Sequence, residues 1–287
     1  MTAGCDASSL RSMERRATRC YAAIFVPGVG NYGICQFFER TRRLIASAAI
    51  TITIARAGPC QGVASDPPDY GFRAGKVLFA DDFQHGLGAW RVEMERPGAV
   101  TARHGVLDID GAAGVTVWFR QELEGPVMIE YQATVISAGG PNDGVSDLNS
   151  FWMATDPKSP RDIFANQRTG KFADYNALAM YYVGLGGNGN TTTRFRRYIG
   201  DAVERPLLPE NDLSLAQHPE KGIVANQTQT VTLIADGSLV QYWRDGEKIF
   251  EMLDVQPYTR GWFAIRTTQN HMQVRHLRIV RLIANKE

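Results

Sequence analysis

The chain has 287 residues with 31 basic and 30 acidic side chains, and 44% of its residues are hydrophobic. This balance gives no electrostatic reason to expect binding to nucleic acid or to a membrane surface. The 28 glycines and 13 prolines indicate a globular chain rich in strands and turns. An all-β domain of ~200 residues would account for most of it.

The cysteines are confined to the N-terminal fifth of the chain, at Cys5, Cys20, Cys35 and Cys60. The main domain therefore contains no disulfide framework, no cysteine-ligated zinc and no cysteine nucleophile.

A basic cluster at residues 40–43 precedes an apolar run from Leu44 to Ile54, which ends at Ala55-Arg-Ala57. This order predicts a secretory signal peptide over residues 40–57 and a secreted or periplasmic protein. The apolar run is too short for a transmembrane helix, so no transmembrane segment is expected. The alternative is a buried strand, because Ile50-Thr-Ile-Thr-Ile is β-prone.

The domain boundaries follow from the signal peptide. Residues 1–39 are interpreted as an N-terminal extension or a wrongly assigned start, and residues 58–76 as a linker. Residues 77–283 form the predicted β-sandwich domain.

Short segments of alternating polarity begin this domain, and each predicts a strand with one buried face. They are Val77 to Phe83, Trp90 to Glu95, Val100 to His104, Val106 to Ile109, Val115 to Phe119, Val127 to Val135 and Asn149 to Thr155. Residues 156–172 read as a long polar loop, and long loops in compact domains are often functional.

Asp174 to Tyr198 reads as a hairpin around the turn sequence Gly184-Leu-Gly-Gly-Asn-Gly-Asn190. Its polar face is expected to carry Tyr181, Arg194 and Arg196 close together. Arginine is costly to bury, so these side chains are expected to face water or an anion.

The last third predicts a β-meander with Asp-Gly turns. Its strands are Thr228 to Ala235, Leu239 to Arg244, Lys248 to Met252, Gly261 to Thr267 and Gln273 to Leu282. No amphipathic helix exceeds a turn or two, so the fold class is all-β, as two antiparallel sheets packed in a sandwich.

Several motifs are weak or absent. The match to G-x-G-x-x-G at residues 184–189 precedes a strand pattern instead of a helix, which argues against a dinucleotide site. No G-x-S-x-G elbow is present, and the histidines lack metal-ligand spacing. No cofactor is required; a structural calcium at Asp81 or Asp82 is an open alternative to two solvated strand-end carboxylates.

A polar and aromatic cluster around the hairpin is the strongest functional feature. The turn supplies Asn188 and Asn190, the preceding strand Asp147, Asn149 and Trp152, and the last hairpin Arg266 and His271. Aromatic rings stack on sugars, and guanidinium groups pair with carboxylates. This chemistry suits β-elimination at a uronic acid, and the alternative is a set of surface ion pairs.

Five segments of this chain are similar in sequence to those of a bacterial protein family. They are Ser146-Asp-Leu-Asn-Ser-Phe-Trp-Met-Ala-Thr-Asp156, Phe172-Ala-Asp-Tyr-Asn-Ala-Leu-Ala-Met-Tyr-Tyr-Val183, Asn188-Gly-Asn-Thr-Thr-Thr-Arg-Phe-Arg-Arg-Tyr198, Gln241-Tyr-Trp-Arg-Asp-Gly246 and Gly261-Trp-Phe-Ala-Ile-Arg-Thr-Thr-Gln269. They resemble secreted bacterial concanavalin A-like β-sandwich proteins, related to rhamnogalacturonan-cluster proteins labelled as polysaccharide lyases. The resemblance spans Val77 to Leu282 and implies a jelly-roll fold that works on carbohydrate.

The leading hypothesis is a secreted polysaccharide lyase that acts on an acidic polysaccharide or oligosaccharide. Tyr181 or His271 would transfer the proton and Arg194 would neutralise the uronate. The expected substrate-binding residues are Asp147, Asn149, Trp152, Asn188, Asn190, Arg196 and Arg266.

Two further hypotheses stay open on the same fold. One is a glycoside hydrolase that uses Asp147, Asp174 or another loop carboxylate. The other is a carbohydrate-binding module without catalytic activity, because the fold by itself does not decide the function.

Overall fold

A computed structural model describes residues 71–284. The predicted extension and signal peptide, and the linker up to residue 70, lie outside the described residues. No helix within residues 71–284 is long and apolar enough to cross a membrane.

Strands make up 53% of the described chain, and turns and several longer connections join them. The strands are β1 Phe72–Asp81, β2 Trp90–Met94, β3 Ala99–Arg103, β4 Val106–Gly111, β5 Val115–Phe119, β6 Leu123–Glu124, β7 Val127–Val135, β8 Leu148–Thr155, β9 Ala179–Gly186, β10 Thr192–Ile199, β11 Asp212–Ser214, β12 Thr228–Asp236, β13 Leu239–Arg244, β14 Glu247–Leu253, β15 Arg260–Thr267 and β16 Asn270–Ala284. The helical pieces are α1 Gly187–Asn190 and the 3₁₀ turns Phe172–Tyr175, Pro209–Asn211 and Pro219–Lys221.

The strands form two antiparallel sheets. Sheet A has the order β14-β13-β12-β7-β16-β4-β3, with β1 also paired to β16. Sheet B has the order β11-β10-β9-β8-β15-β5-β2, with β6 also paired to β15. The prediction of an all-β, concanavalin A-like jelly-roll sandwich is confirmed.

The main core lies between the two sheets because most strands turn every second side chain inward. On β9 the inward residues are Tyr181, Val183 and Leu185, all fully buried. Trp152 of β8 stacks on Phe195 of β10, with ring centroids 5.7 Å apart.

A second apolar layer covers part of the outer face of sheet B. It is formed by residues 156–178, the connection between β8 and β9, which we call the cap segment. Ile163 and Tyr175 of the cap pack with Trp118 and Phe151 of the sheet, and all four side chains are fully buried. This layer explains why β8 is apolar on both faces.

Two boundaries differ from the prediction. The first arm of the predicted hairpin begins later, because Asp174 belongs to a 3₁₀ turn and β9 starts at Ala179. The first strand begins earlier than the predicted Val77, because β1 starts at Phe72, which pairs with Ala284.

Candidate functional site

A cavity of about 360 Å³ lies on the outer face of sheet B, above β9, β10 and the start of β8. It is at the small end of ligand pockets, which span roughly 300–1,000 Å³. Its lining residues are Asp147, Asn149, Phe172, Tyr182, Gly184, Gly187, Asn188, Thr192, Arg194, Arg196, Tyr198, Arg205 and Thr268.

The strand register sets one polar row across the cavity floor. Asn149 of β8 pairs with Gly184 of β9, which in turn pairs with Arg194 of β10. Arg266 of β15 extends the row on one side, next to Asn149. Asp212 of β11 extends it on the other side and accepts a hydrogen bond from Arg194 Nε at 2.7 Å. Paired positions share a face, so these side chains stand at one level of the sheet.

Tyr182 reaches from the neighbouring row into this polar row. It pairs with Arg196 on β10, and its hydroxyl lies where a side chain at Gly184 would be. Only a residue without Cβ leaves that space open. Tyr182 is 8% exposed, and burial raises the pKa of its hydroxyl. The hydroxyl therefore stays protonated at neutral pH and can donate a proton into the cavity.

Three arginine side chains converge on the cavity: Arg194, Arg196 and Arg205. Arg196 donates to the backbone oxygen of Arg205 at 2.6 Å, and Arg205 donates to Asn176 Oδ1 at 3.2 Å. Neither Arg196 nor Arg205 forms an ion pair with a described carboxylate. Burial lowers the pKa of Arg196, and the like charges of Arg194 and Arg205 act in the same direction. A bound anion would relieve this repulsion.

Asp147 is the carboxylate that lines the cavity among the described residues. Its Oδ2 accepts hydrogen bonds from Thr268 Oγ1 at 2.8 Å and from the Ser146 hydroxyl. Its Oδ1 accepts a hydrogen bond from Asn149 Nδ2 at 3.1 Å. The backbone at Asp147 is left-handed, with φ 56°, which Asp tolerates better than most residues. These contacts fix the carboxylate at the entrance to β8.

The side-chain oxygen of Asn149 is a hydrogen-bond acceptor that has no donor among the described residues. Its side chain is 1% exposed, and Oδ1 accepts no hydrogen bond from any described residue. Buried polar atoms are normally hydrogen-bonded, so a ligand hydroxyl group is a suitable partner.

The turn between β9 and β10 forms one wall of the cavity. Asn188 and Gly189 have left-handed backbones, with φ 54° and φ 69°, and the Asn188 side chain lines the cavity. Asn190 was predicted to orient the substrate, but its side chain instead holds the turn in place. Its Nδ2 donates to the Ile223 oxygen at 2.9 Å, and its Oδ1 accepts from the Ile223 nitrogen at 2.8 Å.

Five predicted site residues meet at this cavity: Asp147, Asn149, Asn188, Arg194 and Arg196. Their functional roles stay predictions. The placement of other predicted residues is wrong.

Tyr181 lies inside the sandwich, on the opposite face from Arg194 and Arg196. The strand register pairs Tyr181 with Arg197, whereas the prediction grouped Tyr181 with Arg194 and Arg196. Because neighbouring residues of a strand point to opposite faces, this error of one residue put Tyr181 on the wrong face of the sheet. Its hydroxyl donates to Asp254 Oδ2 at 2.7 Å.

Trp152 is also a core residue. It has no exposed surface, and its ring centroid lies 5.6 Å from that of Tyr181. It therefore cannot stack on a sugar bound at the outer face.

His271 lies on the outer face of sheet A, away from the cavity. Its Nε2 is 3.2 Å from Asp108 Oδ2, and its Nδ1 is 3.4 Å from Asp143 Oδ1. Adjacent strands β15 and β16 belong to different sheets, so Arg266 and His271 do not share a site.

Arg266 lies beside the cavity but beneath the cap segment. It is 1% exposed, and it donates to Thr116 Oγ1 at 2.7 Å and to the Gly170 oxygen at 2.9 Å. It forms no ion pair with a described carboxylate, so its positive charge is not neutralised by a direct partner. The guanidinium lies next to Phe172, 5.1 Å from the centroid of its ring. Arg266 does not line the cavity, and its role in substrate binding stays a prediction.

Sequence reasoning missed several lining residues. Tyr182 and Tyr198 follow from the alternation of β9 and β10 once the register is known. Phe172, Arg205 and Thr268 come from connections between strands, where no periodicity marks a side chain as facing the site.

No group of three or more histidine, cysteine or acidic side chains within residues 71–284 is arranged to hold a metal ion. Asp81 accepts hydrogen bonds from the Phe83 nitrogen and from Trp90 Nε1, both at 2.7 Å. Asp82 accepts a hydrogen bond from the Gln84 nitrogen at 3.1 Å. The structural calcium stays a prediction.

Several solved structures are similar to this chain, and the first described here, with a TM-score above 0.5, supports the fold. A protein of unknown function with a galectin-like fold from Bacillus subtilis is 15% identical, with a TM-score of 0.58, over 75% of this chain and 100% of that chain. An endo-beta-1,3-glucanase from Pyrococcus furiosus is 9% identical, with a TM-score of 0.46, over 75% and 96%. The carbohydrate binding module CBM66 from Bacillus subtilis is 9% identical, with a TM-score of 0.44, over 68% and 96%.

A comparison with curated protein sequences finds no match. Residues 109–277, more than half of the chain, match the family described as "Domain of unknown function (DUF6250)". The chain therefore belongs to the DUF6250 family.

Proposed function

We propose that this protein is a polysaccharide lyase that binds a uronate-bearing saccharide in the cavity and cleaves it by β-elimination. Arg194, Arg196 and Arg205 line the cavity together with Tyr182, and this combination carries the proposal. Guanidinium groups pair with carboxylates through two parallel hydrogen bonds, and aromatic rings pack on the apolar faces of sugars.

The arginines would neutralise the uronate carboxylate and so stabilise the negative charge that develops when C5 loses its proton. Asp147 is the base in this proposal, and it takes that proton. The electron pair forms the C4–C5 double bond as the C4–O bond breaks. Tyr182 protonates the departing oxygen, because its hydroxyl reaches over Gly184 into the polar row of the cavity floor.

A glycoside hydrolase is the second candidate, but the cavity favours it less. Hydrolysis of this kind uses two carboxyl groups that flank the glycosidic bond. Asp147 is the one lining carboxylate among the described residues. Asp174 does not line the cavity; its Oδ2 accepts hydrogen bonds from the Thr169 nitrogen at 2.6 Å and the Thr169 hydroxyl at 2.7 Å.

A binding module without activity is the third candidate, and it shares the cavity but not the proton transfer. We also propose that the protein is secreted by means of the signal peptide at residues 40–57. A relation to the rhamnogalacturonan-cluster lyases is likewise part of the proposal. Mass determination of the exported protein would test the cleavage after Ala57.

Incubation with a panel of pectic and glucuronan polysaccharides tests the activity. A lyase gives rising ultraviolet absorbance from the unsaturated uronate, with new reducing ends. Reducing ends without absorbance would identify a hydrolase. Saturable binding without any product would identify a binding module, and neutral glucans serve as the matched control substrates.

A further inference from the structure

The cap segment crosses the outer face of sheet B from β8 to the edge strand β2. At the far edge, Arg91 Nη1 donates to the Phe164 oxygen at 3.4 Å, and the Arg91 guanidinium lies over the Phe164 ring, 5.1 Å from its centroid. Gly170, with φ 88°, packs directly on the backbone of Met94 and Glu95, where a side chain would overlap it. The cap therefore spans the sheet from the cavity to its last strand.

A buried ion pair attaches the cap to the sheet. Arg168 of the cap lies 3.3 Å from Glu93 Oε2, and the two side chains are 4% and 3% exposed. The same oxygen accepts hydrogen bonds from Tyr175 at 2.8 Å and from Trp118 Nε1 at 2.9 Å. With fully buried Ile163 packed beside them, these contacts make the cap a fixed wall.

The wall ends at the cavity itself. Phe172 of the cap lines the cavity and packs against Tyr182, with ring centroids 5.5 Å apart. Behind Phe172 lies the buried Arg266 guanidinium, 5.1 Å from its ring. A saccharide that occupies the cavity cannot continue across β15 and β5, because the cap fills that half of the face.

We infer that the cavity receives the reducing end of a saccharide chain, with the terminal uronate-bearing unit, whose C4–O bond is the one broken, against Phe172. This inference rests on the proposed function and names its substrate class: short acidic oligosaccharides and polymer ends. Arg194, Arg196 and Arg205 line the same cavity, and Asn149 Oδ1 offers an acceptor to a terminal hydroxyl group. A cavity of about 360 Å³ holds a short segment and leaves the rest of the chain outside.

The test is to titrate the protein with galacturonate and glucuronate ladders of mono-, di-, tetra- and octasaccharides, beside the parent polymers. Calorimetry gives affinity and stoichiometry. Wild type is compared with Tyr182→Phe, so that cleavage does not alter the ladder. Each polymer is also partly depolymerised, which multiplies its chain ends at constant mass.

If one end of the cavity is closed, the affinity for oligosaccharides should stop rising with chain length at the disaccharide or tetrasaccharide. The amount of protein that a polymer binds should then increase with its number of chain ends at constant mass. Affinity that keeps rising tenfold or more up to the octasaccharide, about 1.4 kcal/mol, with capacity that follows polymer mass, would overturn the inference and leave the proposed function standing. No binding to any uronate of either ladder overturns both.

Discussion

The hydroxyl of Tyr182 occupies the space above Gly184, two residues further along the same strand. Side chains two apart on a strand share a face, and the missing side chain at Gly184 lets the tyrosine ring lie along it. The hydroxyl thereby reaches the polar row between Asn149 and Arg194. The preceding residue, Tyr181, points into the core and binds Asp254. Two adjacent tyrosines thus serve different parts of the molecule.

Tyr182→Phe is expected to abolish turnover while saccharide binding is kept, because only the proton donor is removed. Loss of a general acid typically costs 10²–10⁴-fold in rate. Steady-state kinetics by ultraviolet absorbance measure it. Tyr181→Phe is the matched control and is expected to keep turnover but lose stability. Equal activity losses in the two variants would contradict the assignment.

Gly184→Ala is expected to reduce turnover without any change in charge. The added methyl group overlaps the Tyr182 hydroxyl, so the ring must move out of the polar row. Kinetics and calorimetry together distinguish a displaced donor from lost binding. Gly88→Ala is the control, because a methyl group there meets no atom within 4 Å. Full activity in Gly184→Ala would show that the position of this hydroxyl does not matter.

The strands were predictable from the sequence because alternating polarity and Asp-Gly turns are local signals. The sequence did not predict to which face of the sheet each side chain of the hairpin points. Tyr181 was predicted to lie on the polar face of the hairpin, but both faces of β9 are buried. When a strand is buried on both faces, polarity no longer indicates which side chains share a face.

The site depends on contacts between segments far apart in the chain. Arg205 and Phe172 line the cavity from two different connections, and Arg266 is buried because the cap segment crosses the sheet. No sequence pattern shows where a connection folds back. Conversely, His271 follows Arg266 closely in sequence but belongs to the other sheet.

Arg196→Ala is expected to weaken binding of acidic oligosaccharides by about 10–100-fold, because a hydrogen bond to a charged group contributes about 1.5–3 kcal/mol. Added salt should narrow the gap between variant and wild type, since ions screen the guanidinium–carboxylate attraction. Titration calorimetry at low and high salt measures both effects. Arg278→Ala on sheet A, whose side chain pairs with Glu130, is the control. Comparable losses at both arginines would argue against a uronate site at this cavity.

Glu93→Gln is expected to loosen the cap segment. The change removes the charge that Arg168, Tyr175 and Trp118 share, so each of their hydrogen bonds to this side chain is weakened. Amide hydrogen exchange in residues 156–178 should accelerate more than in the core strands. Glu130→Gln, on the other sheet, is the control. Uniform acceleration across all strands would mean that the cap does not open as a separate unit.

Asp254 joins the open edge of sheet A to strand β10 of sheet B. Its Oδ2 accepts hydrogen bonds from Arg197 Nε and the Tyr181 hydroxyl, both at 2.7 Å. Burial opposes its ionisation, but these hydrogen bonds outweigh burial and hold the pKa of Asp254 below its usual value. A carboxyl group with a lowered folded-state pKa stabilises the fold above its unfolded pKa, about 3.9, and this contribution disappears as the pH falls through the folded value.

Asp254→Asn should therefore lower the free energy of unfolding at neutral pH by about 1–3 kcal/mol, because the buried Tyr181 hydroxyl and the partly buried Arg197 guanidinium lose their charged acceptor. The difference from wild type should shrink as the pH falls below about 4, because the unfolded chain then binds a proton at Asp254 that the folded chain, with its lowered pKa, does not bind. Urea denaturation across this pH range measures it. Asp236→Asn provides the opposite case, because burial raises the pKa of Asp236 and its charge opposes folding at neutral pH. A loss in Asp254→Asn that is the same at acid and neutral pH would show that the ionised carboxylate is not what holds the two sheets together at this edge.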